Sequence, residues 1–63
     1  MKHTELTPEV IKAARESMNL SQEDFAHKIG VVAMTVSRWE RGYSRPQGAG
    51  RKNLLDFIQQ RGE

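Results

Sequence analysis

The sequence predicts an all-α fold, a compact domain of four short helices, and three observations support this class. Apolar residues recur at intervals of three and four, which is the period of one helix face. No segment shows the alternation of β-branched and polar residues that is typical of strands. Proline and glycine divide the chain into four pieces without a linker long enough to separate two domains. We therefore expect a single domain over residues 1–63.

The first helix is predicted over about residues 8–18, after a flexible arm of residues 1–6. Thr7 is suited to cap this helix, because its hydroxyl can accept a hydrogen bond from a free N–H of the first turn. Pro8 suits the first helical position, where the missing N–H costs nothing. The apolar side chains of the helix fall on one stripe, which consists of Ile11, Ala14 and Met18.

The second and third helices are predicted over about residues 21–29 and 32–41, with only a short turn between them. Ser21 can cap the second helix, and Gly30 fits a turn that requires a left-handed backbone. Gly42 is a suitable residue just past the end of the third helix. The two helices are therefore expected to pack directly against each other.

The fourth helix is predicted over about residues 49–60, after a surface loop of residues 43–50 that contains proline and glycine. Together the four helices are expected to bury one core of apolar side chains. Its predicted members are Ile11, Met18, Phe25, Ile29, Val36, Trp39, Leu55 and Ile58.

Two helices joined by a tight glycine turn form a helix-turn-helix pattern, and the spacing here is demanding. Counted from Gln22 as the first position, a small residue (Ala26) is fifth and Gly30 is ninth. Val36 and Trp39, at the fifteenth and eighteenth positions, are expected to lock the third helix onto the core. A random helical hairpin would seldom satisfy all four positions.

At these residues the sequence resembles the phage-repressor/Cro-like helix-turn-helix family, also called the xenobiotic-response-element family. The most specific strings are LSQEDFA at residues 20–26 and TVSRWERG at residues 35–42, and the resemblance extends over about residues 11–58. It implies a compact domain that binds double-stranded DNA, with the third helix in the major groove, and it implies a transcriptional regulator.

The resemblance also implies which residues contact DNA. Side chains on the exposed face of the third helix would read base edges, with Arg38 suited to guanine and Ala33 or Met34 suited to thymine methyl groups. The start of the second helix and the segment after the third would contact phosphates. The predicted contacts are Gln22, Ala33, Met34, Thr35, Ser37, Arg38, Arg41, Tyr43, Ser44 and Arg45.

Charge along the chain agrees with this placement. The net charge of the whole chain is only +2, but residues 38–52 hold five basic residues against Glu40 alone, a net charge of +4. The remaining residues therefore carry −2. Because the basic residues lie on and after the proposed recognition helix, they favour a phosphate-facing surface over an ordinary solvated face.

Two further features affect how firmly the third helix is held in the fold. Arg15 and Glu40 resemble the internal ion pair of the family, and we favour this role over the alternative that Arg15 contacts DNA. Val32 departs from the family, which usually has Ser or Thr at this position. The change removes a side-chain cap worth about 1 kcal/mol from the third helix.

Other function classes find little support. A chain this short buries only about 60% of its unfolded surface, so an enclosed catalytic cleft is not expected, and no nucleophile has a neighbouring acid–base partner. Two histidines without cysteine make no metal site, and no cofactor or small-molecule ligand is predicted. No apolar run is long enough to span a bilayer, so a cytoplasmic protein is expected.

Two questions stay open at this level. One helix reads only a half-site, so we expect either a homodimer through the fourth helix and the C-terminal tail or a fragment of a longer regulator. The competing function is a protein-interaction module that kept the fold without binding DNA. The apolar run of residues 31–34 favours this second hypothesis.

Overall fold

The computed structural model describes the backbone of residues 6–61 and the side chains of residues 6–59. These residues form four helices and no strand, so the all-α prediction is confirmed. The helices are α1 (Pro8–Ser17), α2 (Gln22–Ile29), α3 (Ala33–Glu40) and α4 (Gly48–Arg61). The first three are shorter than the predicted spans because those spans included capping residues. None of the four is long and apolar enough to cross a membrane.

Helix α1 begins with the predicted cap, since Thr7 Oγ1 accepts a hydrogen bond from the backbone N–H of Val10 at 3.2 Å. It ends before Asn19, whose φ of 58° lies in the left-handed region. Residues 1–5 of the predicted arm lie outside the described residues. Leu6, which was assigned to that arm, is instead half-buried and packs against the core. Its apolar side chain gains more from this contact than from exposure to water.

A three-residue turn connects α2 to α3. Ser21 caps α2, because its Oγ accepts from the backbone N–H of Asp24 at 3.0 Å. Gly30 has a φ of 79°, and this left-handed conformation turns the chain into α3. Val32 precedes α3 in an extended conformation. Its hydrocarbon side chain has no hydrogen-bond acceptor, so it does not cap the helix. The start of α3 thus leaves its first N–H groups without a side-chain acceptor.

Helix α4 starts at Gly48, so the prediction of a loop over residues 43–50 was wrong for its last three residues. The first helical hydrogen bond runs from the Arg51 N–H to the Gln47 carbonyl at 3.2 Å. A Cβ added to Gly50 would lie 3.5 Å from Trp39 Cζ2, an ordinary van der Waals distance, so the start of α4 lies beside the Trp39 ring with room for an alanine. Asn53 Nδ2 donates to the Ile29 carbonyl at 3.2 Å and ties α4 to the end of α2.

Among residues 6–59, whose side chains the structure describes, seven apolar side chains form the buried core, and five of them were predicted. They are Ile11, Phe25, Ala26, Ile29, Val36, Trp39 and Leu54. The choice of Leu55 was wrong, because Leu54 is fully buried while Leu55 is half-buried. Met18 and Ile58 are also only half-buried and pack against the edge of the core. Phe57 packs edge-on against Phe25 with ring centroids 5.8 Å apart, so the face of α4 centred between Leu54 and Phe57 points inward.

Candidate nucleic-acid interface

Helix α3 has one buried face and one face open to solvent. Val36 is fully buried and Trp39 is 4% exposed, so these two side chains anchor the helix to the core. On the other side, Met34 is 64% exposed and Arg38 is also exposed. A helix held in this way can present a fixed row of side chains to a partner.

The open face of α3 borders a shallow groove whose walls come from three elements: the start of α2, the helix itself and the turn that follows it. All seven lining residues belong to the predicted set of DNA contacts. They are Gln22, Ala33, Met34, Ser37, Arg38, Arg41 and Tyr43. The other three predicted residues lie outside this groove: Thr35 is half-buried on α3, while Ser44 and Arg45 are exposed in the following segment.

The groove combines hydrogen-bond donors with apolar groups. Arg38 and Arg41 supply guanidinium groups, and the exposed side chains of Met34 and Tyr43 supply apolar surface. No carboxylate is among the lining residues. The Arg41 guanidinium also lies 5.0 Å from the centre of the Tyr43 ring, a cation–π contact that restrains both side chains. Such a surface favours an anionic partner that carries hydrogen-bond acceptors and methyl groups.

The predicted ion pair between α1 and the end of α3 is present. Arg15 Nε donates to Glu40 Oε2 at 2.7 Å, and Nη2 donates to Oε1 at 3.1 Å. The third guanidinium nitrogen, Nη1, donates to the Leu20 carbonyl at 2.9 Å. The two charged side chains are only 13% and 4% exposed. Because each nitrogen of Arg15 has an internal partner, the structural role is favoured over a DNA contact.

Both members of the pair are held in their charged forms. Burial alone would raise the pKa of the Glu40 carboxyl, but hydrogen bonds from Arg15 and Gln22 outweigh it, and the pKa lies below its ordinary value. The hydrogen bond to Glu40 raises the pKa of Arg15. The carboxylate is therefore ionised near neutral pH and is neutralised by its partner.

Gln22 makes a contact that the sequence analysis missed. Its Nε2 donates to Glu40 Oε1 at 3.1 Å, so the residue assigned to DNA is also bonded to the internal ion pair. Eighteen positions separate the two residues, and no local pattern indicates that they meet. The only available signal was that each belongs to one of the two family-like strings.

A model of the helix-turn-helix family matches residues 11–49, the segment that holds α2, α3 and most of the groove. The chain belongs to this family. Within it the fold is of the phage-repressor type, since the structure is similar to that of the P22 c2 repressor in complex with a synthetic operator. The TM-score is 0.79 with 30% sequence identity, and the match covers 89% of this chain and 85% of the repressor chain.

A second structural relative of this helix-turn-helix domain is the DNA-binding domain of the P22 c2 repressor, residues 1–76, determined in solution. The TM-score is 0.76 with 29% identity over 92% of this chain and 76% of that domain. The sequence is also 40% identical over 50 residues to the type II methyltransferase M.SsoII of Shigella sonnei. That match covers 75% of this chain but only 13% of the methyltransferase, so the similarity concerns a small part of that enzyme.

Proposed function

We propose that this helix-turn-helix domain binds double-stranded DNA sequence-specifically as a transcriptional regulator, with α3 in the major groove. The observation that carries the proposal is the composition of the groove beside α3. It joins donors and apolar groups from three elements, contains no carboxylate, and lies on a helix whose other face is locked into the core. The relatives agree with it, since one is a repressor in complex with an operator.

Base edges are assigned to the exposed side of α3. Arg38 donates both of its terminal N–H groups to guanine O6 and N7, the commonest specific contact in the major groove. Met34 and Ala33 pack against thymine methyl groups, because neither side chain can donate a hydrogen bond. Ser37, which is half-buried on the same helix, donates or accepts according to the base.

Phosphate contacts are assigned to the residues that flank this helix. Gln22 lies at the start of α2, where free N–H groups also favour an anion. The segment after α3 supplies a second grip on the backbone of DNA. The phosphate set comprises Gln22, Arg41, Tyr43, Ser44 and Arg45, and Thr35 remains a DNA contact on α3 without an assigned partner. These contacts set register and affinity, whereas Arg38 sets specificity.

The decisive experiment selects bound duplexes from a random pool and then measures affinity by mobility shift as a function of salt. Arg38→Ala is expected to weaken the selected sequence by about tenfold or more and to relax specificity at one base pair. Arg45→Ala is expected to weaken all sequences alike and to lower the salt slope by about one. Lys28→Ala is the matched control, because Lys28 is exposed in a separate groove beside Asn53 and Phe57. A selected complex that is unaffected by Arg38→Ala contradicts the assignment of bases.

One recognition helix reads only a half-site, so tight binding to DNA is expected to require two half-sites. We propose that two copies associate through α4 and the C-terminal tail on half-sites about 34 Å apart, which predicts a palindromic selected sequence. The alternative is that the chain is part of a longer regulator. Sedimentation of the protein with and without the selected duplex distinguishes them, because two chains per duplex support the homodimer and one chain per duplex contradicts it.

A second candidate function is a protein-interaction module. Val32 and Met34 favour it, because they are 66% and 64% exposed and lie close together in the chain at the start of α3. Failure to shift any duplex at low salt, together with capture of a protein partner that Met34→Lys abolishes, would support this function and exclude DNA binding.

A further inference from the structure

Gln22 is held by an internal carboxylate even though it lines the proposed DNA-binding groove. Its side-chain nitrogen lies 3.1 Å from Glu40 Oε1, and the Glu40 side chain is 4% exposed. An ionised carboxylate only accepts hydrogen bonds, so the nitrogen of the Gln22 amide, and not its oxygen, must face Glu40. The orientation of this amide is therefore fixed before any partner binds.

The fixed amide keeps one donor available. Nε2 carries two hydrogens, and Glu40 accepts only one of them. A glutamine side chain that is free in solution loses rotamer freedom when it binds, whereas a restrained one loses less. A backbone phosphate accepts hydrogen bonds but donates none, so it requires a correctly placed N–H and not the amide oxygen.

The charge of Glu40 would oppose a phosphate if it had no counter-ion. Arg15 makes two hydrogen bonds to the same carboxylate, so the pair has no net charge. Each member of the set therefore has a separate task. Arg15 neutralises Glu40, Glu40 restrains Gln22, and Gln22 faces the groove.

We infer that Glu40 is a positioning residue for DNA binding, because its carboxylate holds the Gln22 amide so that the second amide hydrogen reaches a backbone phosphate. This inference rests on the proposed function. It goes further because it assigns a role in affinity to a buried residue that touches no DNA, and it couples the ion pair of the fold to the interface.

A double-mutant cycle tests the coupling. The affinity of the whole chain for its selected duplex is measured for the wild type, Gln22→Ala, Glu40→Met and the double variant. Methionine is similar in size to glutamate but does not offer the carboxylate oxygen that holds Gln22. Gln22→Ala is expected to weaken binding by about tenfold in the wild type, which is the effect of one hydrogen bond to a charged group. In the Glu40→Met background it is expected to weaken binding by less than about twofold, because Gln22 is no longer held. Comparing the same change in two backgrounds cancels the gain in net charge from Glu40→Met.

Arg45→Ala is the control for this cycle. Arg45 is exposed and is not among the recorded partners of Glu40, so its effect is expected to be equal in both backgrounds. An equal effect of Gln22→Ala in both backgrounds overturns the inference while the proposed function stands. Absence of any binding by the wild-type chain overturns the proposed function itself.

NMR of the wild-type chain provides a test that does not depend on the folding of Glu40→Met. The two side-chain amide protons of Gln22 are followed as the selected duplex is added. One proton is expected to be shifted downfield before DNA is present and to stay there, while the second moves downfield on binding. Loss of the first hydrogen bond on binding, or no change in the second proton, overturns the inference.

Discussion

The ion pair between Arg15 and Glu40 leads to a stability prediction whose magnitude follows from burial. Arg15→Met removes two of the three hydrogen bonds that Glu40 accepts and leaves a carboxylate that is 4% exposed with Gln22 as its remaining partner. Removing one member of a fully buried pair costs about 3–5 kcal/mol, and this range is an upper limit here because the pair is partly buried. Folded domains are stabilised by roughly 0.05–0.15 kcal/mol per residue, which is about 3–9 kcal/mol for a chain of this length. The variant is therefore expected to lose more than about 1 kcal/mol, the limit for exposed pairs, and at most about 5 kcal/mol.

The assay is urea unfolding followed by circular dichroism at pH 7. A matched variant, Arg15→Met with Glu40→Met, is expected to recover about 2 kcal/mol relative to Arg15→Met alone, because it removes the unpaired charge as well. If Arg15→Met lowers the free energy of unfolding by less than about 1 kcal/mol, the pair contributes no more than an exposed ion pair does, and the reasoning from burial is refuted. Failure of the double variant to recover stability would refute the role of the unpaired charge.

Lowering the pH is expected to change the stability of the wild type and of Arg15→Met in opposite directions. In the wild type the pKa of Glu40 lies below its ordinary value, so its contribution is present near neutral pH and is lost as the pH falls through the folded pKa. In Arg15→Met, burial is the strongest remaining influence and raises the pKa of Glu40, so the folded state takes up a proton first. The difference in unfolding free energy between the two proteins is therefore expected to shrink as the pH falls from about 7 to about 4. A constant or growing difference would contradict this account.

Five other substitutions test the fold. Val32→Ser is expected to stabilise the protein by about 1 kcal/mol and raise its Tm, because it supplies the missing cap of α3. Gly50→Ala is expected to stabilise α4 by up to about 1 kcal/mol, whereas Gly42→Ala is expected to destabilise by about 1–2 kcal/mol because its φ is 81°; urea unfolding measures both. Leu54→Ala is expected to cost about 2–5 kcal/mol and Leu55→Ala clearly less, and equal losses would contradict the orientation of α4.

The ends of the helices could be predicted from sequence because capping is local. Thr7 and Ser21 each bond to an N–H three residues along the chain, and Gly30 and Gly42 each adopt the left-handed conformation that glycine permits. None of these features depends on a distant residue. The residues that line the groove could be predicted from sequence for a related reason. The family-like strings and the helical period together place them on one face.

The orientation of α4 could not be predicted in the same way. Four of its residues are apolar within a span of five positions, so they cover a wide sector of the helix, and the periodicity alone does not select the buried one. The selection comes from contacts with other elements. Gly50 lies against Trp39, and Asn53 bonds to the Ile29 carbonyl, which together turn Leu54 toward the core.

The contact between Gln22 and Glu40 changes how variants at the interface should be interpreted. Arg38 is exposed, and its side chain makes no hydrogen bond to the other described residues, so its removal is expected to change affinity for DNA while the free energy of unfolding stays within about 0.5 kcal/mol. Arg15 is internal, so its removal lowers both the folded fraction and, through Glu40, the restraint on Gln22. Affinities of Arg15 variants therefore have to be corrected for the folded fraction measured under the same conditions. Any loss that remains after this correction combines the uncompensated charge of Glu40 with a change in the restraint on Gln22. The cycle of Gln22 and Glu40 variants separates the two contributions.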